Sequence, residues 1–189
     1  MLGLYIGIIL LLNIPYVQHR MSVLVAKELS TVLGSELTVG RINIGLLNRI
    51  IIDDLVLNDQ SGKELLKIGR LSAKFEILPL FSGKISIGNV QLFSFNANLE
   101  RPTPQASTNF QFVLDAFASK DTVKKKSDLD LRINSLLIRR GKVSYDVLSA
   151  ESTPGKFNPH HIRLSNILAN ISLKALQNDS VNAAIKRMS

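Results

Sequence analysis

Hydrophobic and polar residues alternate along most of this chain, and in places the alternation runs far beyond the length of one ordinary strand. In KISIGNVQLFSFNANLER, Lys84–Arg101, the residues Ile85, Ile87, Phe93, Phe95, Ala97 and Leu99 fall on one side of an extended backbone. Lys84, Ser86, Ser94, Asn96, Asn98 and Glu100 fall on the other. Between Gly88 and Leu92 the parity shifts, as it does at a β-bulge. Strands of about five or six residues are the norm, so this stretch predicts one unusually long strand with an apolar face.

The same alternation sets Leu71, Ala73, Phe75 and Ile77 against Ser72, Lys74 and Glu76, and Leu129, Leu131 and Ile133 against Asp128, Asp130, Arg132 and Asn134. Further strands are predicted by ELTVGRINI from Glu36, NRIIIDDLVLND from Asn48, ELLKIGRLSAKFEIL from Glu64 and DLDLRINSLLIRR from Asp128. GKVSYDVL from Gly141 and HHIRLSNILANISLKAL from His160 complete the series. A short theme recurs without fixed period: an aliphatic residue, Gly or Asn, a variable residue, then another aliphatic. It begins at Val39, Ile68, Ile87 and Ile133 and reads as a series of similar hairpins. Strand register is loosely specified near Ile50, Ile51 and Ile52, which are apolar on both faces.

Two segments follow a helical period. From Val17 to Gly34, Met21, Leu24, Val25, Leu29, Val32 and Leu33 form a stripe opposed by Gln18, Arg20, Lys27, Ser30 and Thr31, with Gly34 as the stop. STNFQFVLDAFASK, from Ser107, spaces Phe110, Val113, Leu114 and Phe117 at i, i+3, i+4 and i+7, and Thr108 with Gln111 predicts a capping box. This helix, near 108–119, is expected to pack its stripe on the sheet. RPTPQAS precedes it as a loop, and KDTVKKKSD, near 120–128, follows as a charged linker.

The N-terminal run LGLYIGIILLLNIPYV, Leu2–Val17, carries no charge. It lacks the basic flank and small-x-small site of a secretory signal. Although slightly short of the about 20 residues a spanning helix needs, it reads best as a membrane anchor with Tyr5 and Tyr16 near the interfaces. A start placed late, with upstream residues missing, accounts for both its shortness and its missing basic flank.

The chain has 189 residues, 46% hydrophobic and 20% charged, within the globular range. It has no cysteine, which excludes disulfides, thiolate metal sites and a cysteine nucleophile. A net charge of +8 admits nucleic acid or an anionic membrane as partner. The basic residues are scattered, with one run at Lys124–Lys126 and a pair at Arg139 and Arg140, and aromatic residues are few. Nucleic-acid binding would need those cations to converge on one face, so it is not expected. No nucleophile elbow, phosphate-binding loop, dinucleotide fingerprint or metal-ligand spacing occurs. His160 and His161 are adjacent, as are Asp53 and Asp54, and alternation sends each pair to opposite faces unless a bulge intervenes. We therefore expect no enzyme, cofactor or metal site.

The order of an apolar N-terminus, LSTVLGSELTVGRINIGLLNRIIIDDLVLND, FEILPLFSGKISIGNVQLFSFNANLER and NFQFVLDAF resembles the N-terminal part of the TamB family. TamB is the inner-membrane subunit of the translocation and assembly module, in the AsmA-like superfamily, and the likeness is to the Bacteroidetes type. The resemblance covers nearly the whole chain and is most specific from Gly34 to Phe117. It implies an inner-membrane anchor and a periplasmic, curled β-sheet with a hydrophobic groove. It also implies a role in moving phospholipid toward the outer membrane or in outer-membrane protein assembly, with an Omp85-type barrel as partner. Members are far longer, so the chain is expected to be an N-terminal piece of a longer protein.

The expected architecture is mainly β: a transmembrane helix over 1–17, an amphipathic helix over 18–34, and a long curled antiparallel sheet forming an open groove over 35–189, with one short inserted helix. Pattern and resemblance together make Leu71, Phe75, Ile77, Ile85, Ile87, Phe93, Phe95, Leu99, Leu129, Leu131 and Ile133 the candidate lipid contacts. Phospholipid, the inner membrane and the outer-membrane barrel are the expected partners. The alternative is a structural module that docks on another envelope protein through its edge strands.

Overall fold

The computed structural model describes residues 2–45, 48–76, 86–117, 135–153, 155–177 and 180–188. Helices α1 (Leu2–Leu12) and α2 (Pro15–Leu33) are followed by strands β1 (Leu37–Gly45), β2 (Arg49–Asn58), β3 (Glu64–Glu76) and β4 (Ser86–Arg101). A short helix α3 (Gln111–Phe117) precedes β5 (Ser135–Val147), β6 (His161–Gln177) and β7 (Ser180–Met188). The strands lie in sequence order in one sheet. It is mixed rather than antiparallel, because β4 and β5 run parallel. A parallel pair needs a long crossover, and α3 lies in the connection between these two strands. β1 and β7 are the two edges, so the sheet is open.

The long strands foreseen from alternation are present: β4 covers 16 residues and β6 covers 17. Two predicted strands meeting at Gly141 are, in their described part, a single strand, β5. Gly141 is no turn. A Cβ there would lie 3.1 Å from the Cβ of Ile167 and 3.0 Å from Cγ2 of Ile138, so glycine permits close strand approach. β7 was not foreseen. The charged linker near 120–128 lies outside the described residues.

A line of irregularities crosses β1 to β6. Val39↔Leu55 and Arg41↔Asp53 place Gly40 against Asp54, and the next registers place Asp54 against Gly69 and Gly69 against Ser94. The parallel pairing brings Ser94 to Arg140, and Asn166 lies beside the Gly141↔Ile167 pair. Asp54, Ser94, Arg140 and Asn166 all adopt positive φ, between 54° and 57°. Each costs on the order of 1 kcal/mol for a residue with a Cβ. Glycine fills the facing positions because the left-handed residues lean across: a Cβ at Gly40 would sit 3.0 Å from that of Asp54, and one at Gly69 would sit 3.1 Å from that of Ser94. Two occurrences of the aliphatic-Gly-x-aliphatic theme, at Val39 and Ile68, thus mark this crease rather than hairpin turns.

The crease changes side-chain parity. The Cβ direction of Gly141 meets Ile138, three residues away, whereas residues three apart on a regular strand point to opposite faces. In β1 the exposed pair Gly40 and Arg41 is followed at once by buried Ile42. Apolar residues therefore step by three at the crease, Val39 to Ile42, Leu55 to Ile52, Ile68 to Leu71 and Phe95 to Leu92, and by two elsewhere. Because adjacent strands slip together, register is kept on both sides of the line in β1 to β3.

The main core lies on the loop side of the crease. Leu33, Leu37, Leu57 and Leu65 are buried, with Leu29, Leu66, Leu99, Phe110, Phe112 and Val113 packed around them. Leu65 is the extra residue of a bulge, since Leu57 pairs with Leu66 while Asn58 pairs with Glu64, which lets two consecutive leucines serve one core. The β2–β3 turn is held by buried Asp59. Its Oδ1 accepts the Ser61 amide at 2.8 Å, the Ser61 hydroxyl at 2.6 Å and the Lys63 amide at 3.0 Å. Burial alone would raise the Asp59 pKa, but these bonds outweigh it and hold the carboxyl below its usual value.

α2 runs back along edge strand β1 and bonds to its backbone. The Ser30 hydroxyl accepts the Leu37 amide at 2.9 Å, and Asn13 Nδ2 donates to the Ile44 carbonyl at 2.8 Å. The buried line of α2 is Gln18, Ser22 and Leu33, while Leu24 and Val32, expected in the packed stripe, are exposed. Docking against a strand edge selects small and hydrogen-bonding residues, and Gln18 donates to Asn43 Oδ1 at 2.6 Å. The N-terminal apolar run is not one helix: α1 stops at Leu12, and Pro15 opens α2. Among the described residues no helix is long and apolar enough to cross a membrane. The expected capping box is not used as such, because the Gln111 side chain donates forward to Asp115 at 3.0 Å.

Gly141→Ala is expected to destabilise the fold by about 1–3 kcal/mol through overpacking, read as a lower urea midpoint. Arg140→Gly, one residue away, is expected to be neutral or stabilising, since glycine adopts positive φ freely. The reverse order would show that close packing does not govern the crease.

Candidate functional site

The crease makes one apolar face continuous. On the loop side it carries the ladder Val39, Leu55, Ile68 and Phe95, and the next rungs add Leu57, Leu66, Ala97 and Val143. Beyond the crease it carries Ile42, Ile52, Leu71, Leu92, Ile138 and Ala169 in one six-strand ladder, and Ile44, Ile50, Ala73, Val90, Leu136 and Ile171 in another. Most of these side chains are half-buried. Between the sheet and the start of α3, a cleft of about 240 Å³ is lined by Leu65, Leu66, Phe95, Ala97, Leu99, Phe110 and Val143. Its wall is almost wholly apolar, the chemistry of an acyl-chain or aliphatic site.

Of the candidate contacts, Phe95 and Leu99 line this cleft and Leu71 lies on the far ladder. Phe93 does not belong with them. The expected bulge is present, since Lys74 pairs with Asn89 and Phe75 with Ile87 and Gly88 is the extra residue. A second parity change, at left-handed Ser94, was not expected and sends Phe93 to the opposite face. There it pairs between Arg70 and Arg139, with the Arg139 guanidinium 5.8 Å from its ring centroid. The backbones of Phe75 and Ile87 pair across β3 and β4, but their side chains lie outside what is described. Ile77, Ile85, Leu129, Leu131 and Ile133 also lie outside the described residues. The sequence reading missed Leu65, Leu66 and Val143 as cleft residues. The Leu65–Leu66 doublet was the available signal, since two adjacent leucines facing one core require a bulge.

The opposite face is polar and basic. Across its centre the registers run Lys67↔Asn96↔Lys142 and Arg70↔Phe93↔Arg139, with Arg140 beside Ser94 and Lys74 opposite Asn89. All six of these cations are exposed. The slip puts Asp53 and Asp54 on this face as well, Asp53 in a pair with Arg70 at 2.6 Å and Asp54 near enough to act on the same guanidinium.

At the β5–β6 end, His161 forms a clasp. Its Nδ1 lies 2.8 Å from Asp146 Oδ1 and its Nε2 lies 3.0 Å from the Ala150 carbonyl. Both partners accept only, so both ring nitrogens carry protons in this arrangement. Arg163 completes it at 2.8 Å from Asp146 Oδ2. The Asp146 bond, then the Ala150 bond, raises the His161 pKa. Burial would raise that of Asp146, but Arg163 and His161 outweigh it and lower it. Among the described residues no group of acidic or histidine side chains could hold a metal ion.

No family model and no curated protein matches the chain.

The clasp sets a pH window. A raised His161 pKa means its contribution is complete below the unfolded value of 6.5 and is lost as pH rises through the folded one. A lowered Asp146 pKa means its contribution is present above 3.8 and is lost as pH falls through the folded value. The hairpin end is therefore most secure in mildly acidic solution. The Val147 amide, bonded to the His160 carbonyl at 2.8 Å, is expected to lose exchange protection as pH rises above 6.5, after correction for intrinsic rates. Asp146→Asn is expected to remove that dependence. A pH-independent protection factor in the wild type would exclude the clasp.

Proposed function

We propose that this chain is a membrane-associated carrier of the cell envelope, whose open sheet holds phospholipid acyl chains along its apolar face. The observation that carries this reading is the continuity of that face through the crease, from the cleft at Phe95 and Leu99 to the ladders at Leu71 and Leu92. Burial of each CH₂ is worth about 0.8 kcal/mol, so several methylenes of one chain seated along the ladders would give appreciable affinity. Headgroups would stay at the open margin of the sheet. The resemblance to the TamB family supports the finer assignment: inner-membrane attachment, a curled groove in the periplasm, and delivery toward an outer-membrane barrel through a region outside this chain. The exposed apolar residues Ile6, Leu10, Leu11, Ile14, Tyr16, Val23 and Leu24 of the N-terminal helical region suit contact with lipid. A single spanning helix is not part of the proposal, because α1 at 11 residues reaches about half of a hydrocarbon core of about 30 Å.

One observation favours a second reading. Among the described residues β7 pairs only with β6, which leaves its outer edge for a further strand, as a structural docking module requires.

The two readings separate by native mass spectrometry and lipid extraction on the full chain purified from a bacterial envelope. Truncation at Gln18 would cut into α2 and remove Asn13, so the whole chain is used. Wild type is expected to retain phospholipid, Leu92→Gln and Phe95→Gln together to lose most of it, and Phe93→Gln to keep it, all with unchanged circular dichroism. A folded wild type free of lipid would sink the carrier reading in favour of the docking module.

A further inference from the structure

We propose that the basic outer face of β3, β4 and β5 is a docking surface for an anionic phospholipid membrane. β4 supplies a neutral floor of Asn89, Gln91, Phe93, Ser94 and Asn96, flanked by Lys67, Arg70 and Lys74 on β3 and by Arg139, Arg140 and Lys142 on β5. The two rows of cations are separated by two strand spacings, about 10 Å. Among the described residues Arg70 alone of the six forms an ion pair, with Asp53. The remaining five are exposed and face solvent with no acidic neighbour bonded to them.

The crease concentrates this charge. The parity slip puts two consecutive side chains on the outer face, so both Arg139 and Arg140 project there from one strand. Arg70 and Arg140 line one hollow of about 350 Å³ with Gly69, Phe93 and Ser94, and Arg139 and Arg140 line a second with Phe93, Asn166 and Leu168. Keeping an arginine at a φ of 54° where glycine would be easier is consistent with selection for its charge.

Charge complementarity selects an anionic occupant, and the floor selects a membrane over a nucleic acid. Single-stranded nucleic acids are gripped by several aromatic platforms, whereas among the described residues of this face Phe93 is the one aromatic, set among amides and hydroxyls. An array of lipid phosphates needs only a broad field of cations, each strengthening binding by about fivefold near an anionic surface. The proposal does not depend on acyl chains occupying the opposite face.

The test is co-sedimentation of the full chain with vesicles of phosphatidylcholine alone or with 30% phosphatidylglycerol. The pure phosphatidylcholine arm measures binding through the apolar helices, and the difference between arms measures the basic face. The triple variant Arg139→Gln, Arg140→Asn, Lys142→Gln keeps a residue tolerant of positive φ at position 140 and is expected to reduce the phosphatidylglycerol preference by about a hundredfold. Lys67→Gln with Lys74→Gln, on the opposite row, is expected to reduce it by about twenty-five-fold. Lys156→Gln, an exposed cation elsewhere, is expected to leave it unchanged. A folded triple variant with wild-type preference would overturn the proposal. So would tighter binding of a 20-nucleotide single strand than of phosphatidylglycerol vesicles at equal phosphate concentration. Loss of copurified lipid with an intact vesicle preference would count against the carrier reading only.

Discussion

The contact on which the rest of this fold depends is a steric one: a left-handed residue in one strand pressed against a glycine in the next. Asp54 fits because Gly40 and Gly69 flank it, and Ser94 fits because Gly69 faces it. An added methyl at these glycines would approach within about 3 Å of its neighbour. Each left-handed residue is unfavourable alone, so it persists only where the adjoining strand leaves room. The crease is consequently a property of the sheet and not of any one strand.

Two faces of opposite character follow from it. Without the slip, Val39, Leu55, Ile68 and Phe95 would share a side with Arg41, Asp53, Arg70 and Phe93, and each face would change from apolar to charged halfway along. With it, the apolar ladders join and the basic residues gather on the other side. Bulges also increase local twist and bend the strands that carry them, which suits a sheet whose apolar side is half-shielded yet largely uncovered by the described helices. α2 lies along the β1 edge and α3 is 7 residues long, too short to roof seven strands.

Much of this was legible in the sequence. Alternation identified the long strands, and the helical period identified α2 and α3. The bulge of β4 at Gly88 was legible too, as a shift of parity. The second parity change was not, because Phe93 continues the odd-numbered series and nothing in its identity reveals that Ser94 has positive φ. Gly141 was misread for the same reason: a glycine that admits a neighbouring strand and one that makes a turn look alike without the partner strand. The packed line of α2 was legible only in part: Leu29 and Leu33 of the expected stripe join the core, but the rest of the helix docks on the β1 edge, where Gln18, Ser22 and Ser30 satisfy backbone and side-chain polar groups. The convergence of basic residues was hidden by their scatter: Lys67, Arg70, Lys74, Arg139, Arg140 and Lys142 come from two strands that neither adjoin in the chain nor pair directly.

A slip of this kind cannot be acquired by one strand at a time. If a single strand lost its left-handed residue, its far half would turn over, setting its arginine or aspartate among the isoleucines of the neighbouring strands and its aliphatic residues in water. Burying one unpaired charge costs several kcal/mol, which would consume a large part of the about 5–15 kcal/mol that holds an ordinary domain together. The crease therefore constrains all six strands at once. That explains why such different residues as Asp54, Ser94, Arg140 and Asn166 occupy one line: what they share is a left-handed backbone, with Gly40 and Gly69 making room beside Asp54 and Ser94, and the side chain at each left-handed place is free to serve the face it meets.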